Sequence, residues 1–413
     1  MRGIGLLGSP RGRRVLFALL YFSEGAPIGF LWWALAAALR RGGVDNAEIS
    51  GLLGALALPW AGKFLWAPLV DVLRGPRWTL RGWIAASQSL MIATLLPLLW
   101  LDPVTSLGVV TPWLLAHAFA AATQDVAIDA LAIAHTGDHE RGALNGWMQV
   151  GMLLGRALFG GGALLVRGEF GDTAMLVSLL ATLTVALAVN LCYRIDPSVA
   201  AARAAPSRRL TAFVANLRAM LGATRTWLGL AFAAAAGAAF EAVGATASPL
   251  LVDYGSSDAQ AGTFLALAGA LGLAIGAVTG GAAADRYGRR ATIVATSLGT
   301  SAATAALALA TGGDSGVAVL VALAAVYLGA GALTASTYAL FMDLTDPRLG
   351  STQFSAFMGA TNLCEWWSAT LAGALVTRSG YTGAFAAAAG LAVLALPLLA
   401  FLAPARPATQ RGP

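Results

Sequence analysis

Apolar residues in this chain neither alternate with polar ones nor return at every third or fourth position. They fill runs of about twenty, parted by short stretches rich in Arg, Asp, Gly and Pro. A run of that length is what a helix needs to cross the hydrocarbon core of a bilayer. Twelve are predicted, at 15–39, 49–70, 82–101, 109–134, 142–166, 172–193, 227–252, 259–284, 291–310, 316–342, 351–376 and 383–402. Strands of a barrel wall would alternate, whereas these continuous Ala-, Leu- and Gly-rich runs suit helices, which satisfy their backbone groups internally. The pattern gives an all-α membrane protein with twelve transmembrane helices.

Composition agrees. The 413 residues are 58% hydrophobic and 11% charged, against about 25% charged in soluble domains. The 49 glycines fit helices packed backbone to backbone. The net charge of +6 comes from 25 arginines and the single Lys63. In a soluble protein it would point to nucleic acid; here topology accounts for it. Twenty arginines fall in the loops of one side and only Arg40, Arg41, Arg167 and Arg378 on the other, which places both termini in the cytoplasm. Cys192 and Cys364 lie within spans and are expected as free thiols. The basic start resembles a signal peptide, but Glu24 and Pro27 interrupt its apolar run, so an uncleaved first helix is expected.

The longest connector, 195–225, separates residues 1–194 from 226–413, six spans each. Its later part repeats Leu210, Phe213, Val214, Leu217 and Leu221 at helical spacing between Arg208, Arg209, Asn216 and Arg218, an interfacial amphipathic helix. The halves share features: Asp71 and Asp285 follow spans two and eight, and Glu24 and Glu241 sit midway through spans one and seven. Such correspondence predicts two pseudo-symmetric six-helix bundles, the plan of many secondary transporters.

Charged residues inside spans are costly and face the protein interior or a wet path. Gln124, Asp125 and Asp129 interrupt span four, and the two aspartates, four apart, share a helix face. Lys63 lies about 12 Å, at 1.5 Å per residue, from the cytoplasmic end of its helix; it either pairs with Asp125 or Asp129 or anchors a substrate anion. Arg156 is deep in span five, on one face with Asn145 and Gln149, and suits anion capture or neutralisation of Glu24 or a span-four carboxylate. Glu24, beside Gly25 and Pro27, and Asp125 are the first candidates for proton coupling, with Asp129 as latch or gate. Trp60 and Trp66 flank Lys63 and could offer a stacking surface. His117, His135 and His139 are scattered, and no metal site, cofactor or enzyme centre is expected.

Two sets of motifs carry a resemblance. Gly281-Ala-Ala-Ala-Asp285-Arg286-Tyr287-Gly288-Arg289-Arg290 resembles the signature loop of the major facilitator superfamily, and Asp71, Asp285, Arg286, Arg289 and Arg290 would then gate the cytoplasmic side. Lys63-Phe-Leu-Trp66-Ala-Pro68-Leu-Val-Asp71, Ala122-Thr-Gln124-Asp125-Val-Ala-Ile-Asp129, Glu140-Arg141-Gly142 and Thr352-Gln353-Phe354 are similar to the AmpG-type permease group. The resemblance implies a major facilitator fold and proton symport of a bulky, polar, anionic solute across the inner membrane, muropeptide-like first and siderophore-like second. The chain departs from muropeptide permeases in having room for twelve helices rather than two more, and its first-half loop lacks the Gly-Arg-Arg ending. An exporter of amphiphilic toxic compounds is the rival reading; basic Lys63 and Arg156 argue against cationic cargo. The expected partners are solute, protons and lipid, with the protein a monomer.

Overall fold

The computed structural model describes residues 6–73, 78–135, 138–193, 211–345 (apart from 212, 213, 216, 220 and 314) and 350–402, and its elements there are helices. Helix α1 (Pro10–Gly29) starts where the Ser9 hydroxyl accepts the Gly12 N–H at 3.1 Å, with Pro10 in the first turn, a position that needs no amide donor. Pro27 has no N–H to give to the ladder. Beyond it the helix widens into a π-turn over Phe30–Leu35 before closing again as α2 (Ala36–Arg41). The departure from regular α-helix falls a few residues past Pro27.

Then follow α3 (Asn46–Leu73), α4 (Leu80–Leu95), α5 (Leu107–His135), α6 (Asp138–Phe159) and α7 (Gly161–Cys192). After them come α8 (Thr224–Ala236), α9 (Ala238–Asp253), α10 (Asp258–Thr263) and a π-turn at Phe264–Gly269. The chain continues through α11 (Ala270–Tyr287), α12 (Arg289–Thr311), α13 (Gly316–Leu344), α14 (Gly350–Val393) and α15 (Leu398–Phe401). Eight helices among the described residues are long and apolar enough to cross a membrane, and one of them, Trp147–Cys192, has 46 residues, enough for two crossings. Helices α5 and α14 fill the remaining expected spans. Most of the linker lies outside the described residues, although Val214, Ala215 and 217–219 are helical.

The repeat shows in the backbone. Gly171 (φ 84, ψ 177) turns the chain between spans five and six, and Gly380 (φ 68, ψ 178) does so between spans eleven and twelve. Both are in a region essentially closed to side-chain-bearing residues, and each replaces a loop with one residue.

By compactness the chain divides into Met1–Thr211 with Ala247–Ala270, and Ala212–Thr246 with Leu271–Pro413. The first unit has a core of Leu16, Phe17, Leu20, Ile84, Ile128, Leu131 and Tyr193. The second is centred on Phe232, Phe341 and Phe357, the last two stacked 5.0 Å apart. In the first unit α1 and α6 touch backbone to backbone. A Cβ at Gly25, Gly151 or Gly155 would overlap the carbonyl of Met152, Ala18 or Phe22, and one at Gly29 would overlap the backbone of Arg156. Small residues permit this approach, and dispersion between the backbones then holds it.

Two substitutions separate close packing from helix propensity. Gly155→Ala is expected to destabilise the purified protein by about 1–3 kcal/mol through overpacking. Gly299→Ala, exposed on α12 with open space around it, should leave stability unchanged or raise it by up to about 1 kcal/mol. Thermal unfolding in detergent checks both.

Candidate functional site

The polar interior of the first unit is assembled from four helices. Lys63 of α3 and Asp125 of α5 form an ion pair, their side chains 15% and 6% exposed. Tyr21 of α1 donates to Asp129 at 2.6 Å, and its hydroxyl is 3.3 Å from Asp125. The four-residue spacing that puts both aspartates on one face of α5 thus lets a single phenol reach them both. Half-buried Asp129 belongs to the same hydrogen-bonded group as Asp125.

Two residues along α1, Ser23 donates to the Leu20 carbonyl at 2.7 Å and accepts from Gln124 (3.3 Å) and Gln88 (3.4 Å). Glu24, beside it, is 2% exposed, lies within electrostatic reach of Asp125, Lys63 and Asp129, and has the Trp60 indole as a hydrogen-bonding neighbour. Buried oxygens of Glu24, Gln88 and Gln124 have no hydrogen-bond partner among the described residues. A buried polar atom normally has a partner, and an ionisable group at membrane depth is a candidate for function.

Arg156 stands apart from this group. Its backbone packs on Gly29, five residues beyond Glu24 and therefore about 7–8 Å farther along α1 at 1.5 Å per residue. Its Nε is buried without an acceptor, and among the described residues its guanidinium has no ion-pair partner. Neutralisation of Glu24 or of a span-four carboxylate, the alternative left open by the sequence, is not observed.

The remaining expected residues are distributed as follows. Trp66 donates from its indole to Thr123 at 3.2 Å and packs on Phe119, while buried Trp60 meets Trp32 edge to face at 6.5 Å. Gln149 is exposed, and the side chain of Asn145 lies outside the described residues, as does that of Asp71. In the second unit Arg289 pairs with Asp285 and, at 3.1 Å, with Asp343, whose carbonyl also accepts from Arg225 at 3.2 Å. Arg286 lies over the Tyr287 ring at 5.3 Å, and Arg286 and Arg290 are exposed. Buried Gln353 of the Thr-Gln-Phe stretch donates to Thr226 at 2.8 Å.

Tyr21, Ser23, Gln88 and Asp343 were not among the expected site residues. Tyr21 precedes Glu24 by three positions and shares its helix side, a local signal. Gln88 and Asp343 join their partners across long stretches of chain, and no local spacing marks them.

Removing Lys63 alone should cost more than removing the whole pair. Lys63→Ala leaves Asp125 buried without its cation and should lower stability by about 3 kcal/mol or more. Lys63→Met combined with Asp125→Leu should recover most of that loss. Thermal unfolding of the purified variants reads both; equal losses would mean the pair is energetically idle.

Comparison with known proteins gives a consistent picture. The family model described as Major Facilitator Superfamily matches residues 15–366 and 236–413. The anhydromuropeptide permease of Escherichia coli K12 is 27% identical over 272 residues, covering 65% of this chain and only 55% of that protein. The putative transporter AmpG 4 of Rickettsia felis is 23% identical over 396 residues, covering 93% of this chain and 95% of the relative. Among solved structures, a D-xylose-proton symporter superposes with a TM-score of 0.74 at 12% identity, over 95% of this chain and 97% of that one. The nucleoside transporter NupG superposes with a TM-score of 0.68 at 15% identity, over 94% and 97%. At these identities the structural likeness speaks for the fold.

Proposed function

The chain belongs to the Major Facilitator Superfamily, and from that premise we propose that it moves a bulky anionic solute across the cytoplasmic membrane together with protons. A secondary transporter, multi-pass and distantly related to AmpG muropeptide permeases, needs a solute site and a means of coupling. The single observation that carries the reading is the chain's only lysine ion-paired to Asp125 inside a membrane helix bundle. An ammonium there binds an anionic group as readily as it binds an aspartate. Arg156, with no ion-pair partner among the described residues, supports a second anionic contact on the solute.

The coupling follows from charge. Three carboxyl groups, on Glu24, Asp125 and Asp129, surround one ammonium, so the group reaches neutrality with two protons bound. When a solute anion takes Lys63, Asp125 loses its cation. A buried carboxylate without a partner is strongly disfavoured, and a proton is the replacement available. Tyr21, 3.3 Å away, is placed to hold either form. Solute and proton therefore bind together, which is symport. The arginine distribution supports cytoplasmic termini, and the Asp285–Arg289–Asp343 group supports a cytoplasmic latch that is made and broken during alternating access. The relatives favour a muropeptide-like cargo: one is named an anhydromuropeptide permease.

The test is uptake of labelled anhydromuropeptide, with an iron-chelate comparison, into proteoliposomes under an imposed pH gradient. Accumulation should rise as the outside is made more acidic. Asp125→Asn should abolish gradient-driven accumulation while leaving solute exchange. Arg156→Gln should weaken apparent affinity about tenfold or more, corresponding to a lost charge-assisted hydrogen bond of 1.5–3 kcal/mol. Unchanged accumulation in both Asp125→Asn and Glu24→Gln would refute the proton assignment.

A further inference from the structure

At the arginine-poor side, the stretch 247–262 is bound to the first six spans by a set of polar contacts, all inside the first unit. Arg40 pairs with Asp253 at 2.6 Å, and Asn46 donates to the other oxygen of Asp253 at 3.5 Å. Arg41 pairs with Asp258 at 2.7 Å and donates to the Ser256 carbonyl, also at 2.7 Å. Arg167 takes the second oxygen of Asp258 at 2.9 Å while also pairing with Asp172 just across the Gly171 turn. Nearby, the buried Ser248 hydroxyl donates to the Trp33 carbonyl at 2.6 Å, and Gly262 meets Gly161 backbone to backbone.

Three of the four arginines that the sequence puts on this side are therefore gathered at one place. Arginines are disfavoured there by topology, so their concentration needs a reason. Packing alone does not supply one. The paired side chains are 16–27% exposed, and ion pairs at such exposure add little stability and are screened by salt. They are, however, well suited to exchange: guanidinium groups bind any carboxylate or phosphate in the same forked geometry.

We propose that Arg40, Arg41 and Arg167 form an anion-receiving site that Asp253 and Asp258 occupy while residues 247–262 are docked. A solute carrying two or more acidic groups displaces those aspartates and so releases the segment as it binds. This rests on the reading of the protein as an anion transporter and names the chemistry it meets first, a polyanion of the carboxylate or phosphate type. The site differs from Lys63 and Arg156 in position and in being filled by the protein's own carboxylates.

The experiment reads docking without requiring transport. In a Cys192→Ser, Cys364→Ser background, Ser248→Cys puts a thiol within the docked segment, at the buried position that faces the Trp33 carbonyl, and a membrane-impermeant maleimide is added from the arginine-poor side of the reconstituted full-length protein. Labelling should be slow in sodium chloride and several-fold faster in citrate or pyrophosphate at equal ionic strength and pH. A response to citrate and pyrophosphate alike supports any polyanion; a response to one of them assigns carboxylate or phosphate. Asp253→Asn with Asp258→Asn should label fast without added anion, and Arg41→Gln with Arg167→Gln should label fast and ignore citrate and pyrophosphate. Gel-filtration profiles confirm that each variant is folded. Chloride matching both polyanions would reduce the contacts to screened ion pairs and overturn the proposal, as would slow labelling of the Asp253/Asp258 variant. Loss of proton-driven accumulation with this labelling pattern intact would count against the coupling mechanism and leave the receiving site standing.

Discussion

An ammonium and a carboxylate meeting in the interior of a membrane helix bundle is the constraint on which the first unit turns. Neither Lys63 nor Asp125 is stable there alone, since each without the other is a charge removed from water. The pair fixes α3 against α5, and Tyr21 then ties α1 to the same face of α5 through Asp129. Ser23, held by Gln88 and Gln124, adds α4. Four helices thus converge on one hydrogen-bonded group, held by charge-assisted bonds of the kind that another anion or a proton can replace. Those two properties together are what the proposed transport role asks of the group.

Glycine does the positioning. Backbone contact between α1 and α6 brings Glu24 and Arg156 onto neighbouring helices at a fixed offset, so the polar groups follow one another along α1: Tyr21 with the aspartates, then Ser23 and Glu24, then Arg156. The π-turn at Phe30–Leu35 lies past this series. A regular helix there would keep every carbonyl in its ladder; the widened turn loosens the ladder next to Arg156. Rigid approach on one side and a softened helix beyond it give the site a firm frame with one adaptable end.

Much of this was legible in the chain. The spans follow from run length, and the shared face of Asp125 and Asp129 follows from their four-residue spacing. The repeat, read from Asp71 with Asp285 and Glu24 with Glu241, reappears in the left-handed turns at Gly171 and Gly380. The choice of Lys63 partner did not follow, because two aspartates were equally placed by sequence and only the packing of α3 on α5 selects Asp125. Nor did the isolation of Arg156 among the described residues: its depth can be read from the chain, whereas its lack of a partner there depends on what the surrounding helices bring near it. Asp343, remote in sequence from Arg289, carries no periodic signal for its pairing. Contacts that depend on chain segments meeting across long separations are invisible to spacing, however regular the spacing.

The two sets of ion pairs in the first unit also differ in a way that bears on transport. Those of Arg40, Arg41 and Arg167 are about a quarter or less exposed and within reach of solvent, so their strength falls with salt and with competing anions. The Lys63–Asp125 pair is more deeply shielded, and its partners exchange only when something else restores neutrality. Under the proposed symport, an anion entering from the arginine-poor side would meet pairs that yield to competition before one that yields only with a proton. On that proposal selection by charge would come first, where it is reversible, and coupling second, where losing a partner is too costly to occur without a replacement. Such an order would let a wrong anion leave before a proton is committed, with depth as the difference between two levels that share the chemistry of basic side chain and carboxylate.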